Sequence, residues 1–230
     1  MQDWTRSTYR MMVVASLIMA GCGRDSRPHA APAKDSVQGP ATPLPTVLLI
    51  GTSLTVGYGL DPRDAWPARV QAKIDSAGLR FRIVNAGVSG ETSADALHRL
   101  DWLLSQGAPA VIVVETGAND ALRGQPVDSI HANVDAILGR LELLRPPVVV
   151  VVAGMEALPN LGRAYVQQFR GIFASAARAH HATYLPFLLA GVAGVDSLNQ
   201  ADGIHPNARG SVIVAENVWR TLRPILDSLP

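Results

Sequence analysis

The chain has 230 residues, 48% hydrophobic and 17% charged, which suits one globular domain with a sizeable core. A net charge of +1 supplies no basic field, so nucleic-acid binding has no electrostatic support. No P-loop string, paired-cysteine motif or His/Asp/Glu cluster at metal-ligand spacing occurs, so nucleotide and zinc readings lack support and neither metal nor cofactor is expected.

The N-terminus reads as a targeting segment. Arg6 and Arg10 precede the apolar stretch Met11 to Ala20, then Gly21 and Cys22 follow. A basic flank, a short apolar core and small residues mark a secretory signal. The stretch is about 10 residues, against the about 20 that a membrane-spanning helix needs. Met19-Ala20-Gly21-Cys22 resembles a lipobox, and Cys22, the sole cysteine, stands where a bacterial lipoprotein signal is cut and lipidated. Residues 1–22 are therefore expected to be a lipoprotein-type signal. The expected location is the cell envelope, anchored by lipid on Cys22, with periplasmic or secreted protein as the alternative. A sole cysteine also means that the exported domain has no internal disulfide. Residues 23–45 carry Pro28, Pro32, Pro40, Pro43 and Pro45 among small residues and scattered charges, and read as a disordered tether.

From residue 46 to 230 apolar runs alternate with longer amphipathic segments. Strands are expected at Val47–Ile50, Phe81–Val84, Ala110–Val114, Val148–Val152 and Thr183–Leu185. Continuous Val/Ile/Leu runs without alternation suit strands buried on both faces of a parallel sheet. Helices are expected at Trp66–Ser76, Ser93–Ser105, Val127–Leu144, Arg163–His180 and Ala208–Asp227. Asp64 is a candidate cap for the first, entered through Pro67, and Thr92 or Ser93 for the second. This order implies right-handed crossovers and an α/β fold. It is a three-layer α/β/α sandwich on a doubly wound, mostly parallel five-stranded sheet.

Three side chains suggest the chemistry. Ser53 follows the first apolar run, where a strand should end, and Gly57 and Gly59 let the chain turn sharply after it. Asp202 precedes His205 by three residues, in a turn marked by Gly203 and Pro206. A serine hydrolase needs a hydroxyl, an imidazole to take its proton, and a carboxylate to fix the imidazole's tautomer. Oxyanion donors could come from Asn85–Thr92 and Gly117–Asp120, small polar segments that follow predicted strands, where open α/β sheets place ligands. His98 and His131 fall in helical patterns, and His180 and His181 close a helix. Asp120 is read as fixing its loop.

These blocks together resemble the SGNH hydrolase superfamily, also called the GDSL esterase/lipase family. The wording is especially similar to its bacterial acyl-thioesterase, lysophospholipase and arylesterase branch. Ser53 matches the nucleophile block, Gly90 the glycine block, Asn119 the asparagine block, and Asp202 with His205 the closing dyad. The resemblance runs in order from about Val47 to the C-terminus. It implies a flavodoxin-like sandwich and a catalytic triad of Ser53, Asp202 and His205. It also implies an oxyanion hole of the Ser53 and Gly90 backbone N–H groups and the Asn119 amide. The family usually carries aspartate just before the nucleophile. Thr52 stands there in this chain, and its side chain can still bond the local backbone. The function expected is an exported serine esterase acting through an acyl-enzyme on small carboxylic esters, with thioesters and lysophospholipids as further candidates. The alternatives are a carbohydrate O-deacetylase and a non-catalytic envelope lipoprotein that keeps the fold for binding. Pocket walls are expected from Met155–Gly162 and Phe187–Gln200.

Overall fold

The computed structural model describes residues 43–230. The signal segment, Cys22 and the tether as far as residue 42 lie outside the described residues. Among those described, no helix is long and apolar enough to cross a membrane.

Five strands form one sheet: β1 (Thr46–Gly51), β2 (Arg82–Gly87), β3 (Val111–Val114), β4 (Val149–Ala153) and β5 (Thr183–Leu185). Their order is β2-β1-β3-β4-β5, and all four pairings are parallel. This is the order 2-1-3-4-5 of the flavodoxin-like doubly wound sheet. Val47, Leu49, Ile50 and every residue of β3 are buried, because both faces of the central strands are covered. β2 runs three residues beyond the expected Val84. Asn85, Ala86 and Gly87 pair with Leu49, Ile50 and Gly51, so the ladder continues after the apolar signal stops.

The helices are α1 (Ser53–Val56), α2 (Trp66–Ser76), α3 (Ser93–Ser105), α4 (Ala118–Leu122), α5 (Val127–Glu142), α6 (Arg163–Ala179) and α7 (Ala208–Ser228). α2 packs on α7, while α5 packs between α3 and α6. Such segregation is what right-handed crossovers give when the chain reverses its direction across the sheet. The core includes Phe169 and Phe173, adjacent turns of α6, in an edge-to-face contact with ring centroids 5.3 Å apart.

Caps decide how two helices meet the site. Thr92 caps α3 in a reciprocal box with Asp95, as expected. Asp64 does not cap α2: the N-cap is Ala65, which makes no side-chain cap, and Pro67 in the first turn needs no N–H acceptor. The Asp64 carboxylate instead holds Arg69 at 2.9 Å. α1 and α4 have no counterpart in the sequence reading. They are single turns, too short to show a periodicity.

Candidate active site

The strand order reverses at β1, and the crevice outside the carboxyl ends of β1 and β3 is the expected ligand site of such a sheet. Ser53 enters it on the first residue of α1, directly after β1. The turn after β2 brings Gly90, and the turn after β3 brings Asn119 on α4. Asp202 and His205 arrive on the segment between β5 and α7.

The structure brings all five together. His205 Nε2 lies 2.8 Å from Ser53 Oγ, a contact that closes 152 residues of sequence, and His205 Nδ1 lies 2.7 Å from Asp202 Oδ2. The other carboxylate oxygen, Asp202 Oδ1, accepts the backbone N–H groups of Ile204 and His205, each at 3.0 Å. The His205 N–H, its imidazole and the Ile204 N–H together hold the Asp202 carboxyl at about 2, against an ordinary 3.8. It stays ionised at any working pH, as a partner for imidazolium must.

Outer contacts fix this turn. Gln200 accepts nothing from the dyad but braces it. Its backbone N–H donates to the His205 carbonyl at 2.7 Å, and its amide donates to the carbonyls of Tyr58 and Pro206 at 2.7 and 3.0 Å. Asn207 caps α7 through the N–H groups of Arg209 and Gly210 and ties back to Ser197 and Asn199. The Tyr58 ring packs on the imidazole with centroids 4.8 Å apart.

Ser53, Gly90 and Asn119 line the same cavity as the imidazole. Neither the Ser53 nor the Gly90 backbone N–H has an acceptor among the described residues. Gly90 takes φ of +79°, a left-handed conformation that costs glycine nothing and other residues strain. One amide hydrogen of Asn119 is spent on the Glu91 carbonyl at 2.9 Å, which orients the side chain and leaves the second hydrogen without an acceptor among the described residues. The loop that carries Gly90 is fastened from below. Glu91, buried, pairs with Arg99 on α3, and Arg99 also donates to the Ala86 carbonyl. Burial raises the Glu91 carboxyl above its ordinary value, and the Arg99 guanidinium works against that rise. Asp120 accepts the Ser93 N–H and hydroxyl at 2.8 and 2.7 Å, so it docks α4 on the start of α3, a loop-fixing role.

Sequence reasoning missed Glu115, at the end of β3. Burial pushes its carboxyl above the ordinary range, opposed by hydrogen bonds from Thr52 and Thr55. The signal available in the sequence was a single acid directly after the apolar run Val111–Val114. Thr52 itself is the N-cap of α1, its hydroxyl 3.4 Å from the Leu54 N–H.

A cavity of about 550 Å³ opens beside Ser53. Its walls include Met155, Ala157, Leu158 and Pro159 from the segment after β4, and Phe187, Leu189 and Ala193 from the segment after β5. Both expected wall segments therefore contribute. Leu122 from α4 and Tyr58 complete a largely apolar rim. Among the described residues no three His, Cys, Asp or Glu side chains gather as metal ligands. His98 and His131 lie on α3 and α5, and His180, at the end of α6, reaches Asp135 at 2.8 Å.

The sequence model of the GDSL-like Lipase/Acylhydrolase family matches residues 49–213. Esterase TesA of Pseudomonas aeruginosa is 36% identical over 181 residues, which cover 79% of this chain and 89% of that protein. The Escherichia coli K12 thioesterase 1/protease 1/lysophospholipase L1 is 32% identical, over 79% of this chain and 85% of its own. A crystal structure of TesA superposes with a TM-score of 0.75, covering 78% of this chain and 99% of the other. The SGNH-hydrolase family esterase AlinE4 is 38% identical, with a TM-score of 0.66 over 81% of this chain and 97% of that one. The chain belongs to the GDSL-like Lipase/Acylhydrolase family.

Proposed function

We propose that this GDSL-like hydrolase cleaves carboxylic esters through an acyl-enzyme on Ser53. Membership of the family makes it an ester-hydrolysing serine hydrolase; the proposal concerns which groups do the work, and on what. The observation that carries it is the unbroken relay from Asp202 through His205 to Ser53 Oγ, with contacts of 2.7 and 2.8 Å, at the mouth of an apolar cavity.

In this reading His205 Nε2 takes the hydroxyl proton as Ser53 Oγ attacks the acyl carbonyl, and later returns it to the leaving alcohol. Asp202 keeps Nδ1 protonated and stabilises the imidazolium that forms. The carbonyl oxygen gains charge against the Ser53 and Gly90 N–H groups and the free amide hydrogen of Asn119. Donors already held in place need no reorientation as that charge develops, which is where most of the rate gain arises. Water then repeats the sequence on the acyl-enzyme with the same base.

The cavity walls favour an acyl chain over a sugar ring, which speaks for an esterase rather than a carbohydrate O-deacetylase. Thioesters and lysophospholipids carry the same acyl group, and the relatives named for those activities put both within the proposed range. Labelling of Ser53 by a fluorophosphonate and, on unlabelled protein, turnover of p-nitrophenyl esters, acyl thioesters and lysophospholipids of graded chain length test the reading. A protein that stays unlabelled and inert on every ester would fit a binding lipoprotein instead.

The reading extends to location: an exported envelope protein held by lipid on Cys22. Support is the apolar stretch before Cys22 and the proline-rich segment after it. One acyl chain binds membranes only marginally, so a stable anchor implies several chains on that residue. Cys22→Ser should move the protein from the membrane fraction to the soluble one with unchanged specific activity on a soluble ester. A wild-type protein already soluble, with its mature start elsewhere, would end the lipoprotein reading.

A further inference from the structure

Beneath the nucleophile lies an acid that the hydrolytic scheme does not use. Glu115 is 1% exposed and directly follows β3, the strand beside the one that delivers Ser53. Its Oε2 accepts the Thr52 N–H at 2.7 Å and the Thr55 hydroxyl at 2.8 Å. The Thr52 hydroxyl lies 2.9 Å from Oε1 and 3.0 Å from Oε2. Among the described residues no lysine or arginine pairs with it, so its carboxyl group is met by three neutral donors. Those donors bracket Ser53, one residue before it and two after. Contact is tight enough that Gly51 has no room for a Cβ, which would fall inside the Thr55 hydroxyl and 2.8 Å from the carboxylate.

α1 needs such help. A helix of four residues has no stability of its own, since one turn does not repay the cost of nucleation. Yet its first residue must hold Oγ against His205 and aim its N–H at the oxyanion. We propose that Glu115 is a positioning residue for Ser53: by fastening Thr52 and Thr55 to the end of β3, its carboxylate sets where the nucleophile and its N–H point. Thr52 is the matched partner, a donor that satisfies the acid without bringing charge. The proposal rests on Ser53 being the nucleophile. It gives residue 52 a definite electrostatic role. A carboxylate there would face the Glu115 carboxylate, and two acids in contact in a buried site must share a proton. The other ionisable groups around the turn are the Glu91–Arg99 pair on one side and Asp202 with His205 on the other.

Three variants and two readouts test this. Glu115→Gln keeps the shape and one acceptor oxygen for the Thr52 N–H and the Thr55 hydroxyl, but sets an NH2 where Oε1 met the Thr52 hydroxyl, which must then turn from donor to acceptor. Phosphonylation of Ser53 and kcat for p-nitrophenyl butyrate should both fall about 10-fold to 100-fold, with KM nearly unchanged, the scale of a small misplacement at a reacting centre. Thr52→Asp should work at low pH, where one proton is shared, and lose kcat as pH rises and that proton leaves, a limb absent from the wild type. The double variant Thr52→Asp/Glu115→Gln again pairs one donor with one acceptor, so the high-pH loss should vanish and kcat recover toward wild type. A merely structural role would lower the melting temperature and leave these profiles alone. An unlabelled wild type would sink the nucleophile reading itself. Positioning is overturned separately, by a labelled wild type whose Glu115→Gln form reacts equally fast and whose Thr52→Asp form follows the wild-type pH profile. Should Glu115→Gln not fold, the Thr52→Asp profile decides alone.

Discussion

Replacing Asp202 with asparagine is the most informative single change, because the structure gives each carboxylate oxygen a different duty. Oδ2 takes the His205 Nδ1–H, and Oδ1 takes two backbone N–H groups. Asparagine can satisfy one duty only. With its oxygen on the two backbone donors, its NH2 faces Nδ1. That nitrogen must then accept, so the ring proton moves to Nε2, and Nε2 can no longer take a proton from Ser53. With the amide reversed, the tautomer is right, but NH2 faces two N–H groups. Two hydrogen bonds are then lost, at about 1–3 kcal/mol for each donor left unmet. The imidazolium loses its counter-charge in either case. Turnover should fall by about 10³–10⁴, the scale set by equivalent changes in other triads. kcat/KM for p-nitrophenyl butyrate, with active sites counted by fluorophosphonate, measures it. A variant within tenfold of wild type would show that another group orients His205. The same change has a signature in stability. A carboxyl lowered to about 2 contributes stability that is present above the ordinary 3.8 and is lost as pH falls through about 2. Melting temperature below pH 4 should therefore fall less steeply for Asp202→Asn than for the wild type. Parallel curves would contradict the assignment.

Ser53→Ala should cut ester turnover by three to six powers of ten, about the range for loss of a nucleophile, without lowering the melting temperature. Retention of a few per cent in pure protein would remove Ser53 from the role. Asn119→Ala should lower kcat by about 10²–10³, as for other oxyanion donors, with a smaller effect on KM. A raised KM at constant kcat would make Asn119 a substrate-binding residue instead. Phe169→Ala empties a fully buried site against Phe173 and should cost about 3–5 kcal/mol in urea unfolding, while any folded fraction keeps its kcat.

The sheet was legible because its central strands are buried on both faces. Val47–Ile50 and Val111–Val114 could be little else, and α2 and α3 begin and end where their periodicity does. The strand after Phe81 was underestimated because its last three residues are polar or small and are held by main-chain pairing alone. The Asp202–His205 spacing and the serine after β1 were readable as chemistry, since few other purposes combine them in one chain. Long-range partners were not readable. Nothing local joins Gln200 to Tyr58, or Thr52 to Glu115 across 63 residues. Asp64 looked like a cap because its side chain fits one, but the helix starts one residue later, which puts Ala65 at the N-cap.

The bond between His205 and Ser53 has a consequence for synthesis. It spans 152 residues, so the hydroxyl is made early and its base late. In the proposed mechanism a nascent or truncated chain that ends before Asp202 has no base for Ser53, whatever else of the sheet has formed. Reactivity toward a fluorophosphonate therefore reports that the last segment has been delivered and docked. That makes labelling a clock for completion of the fold, in a refolding tube or on a stalled ribosome.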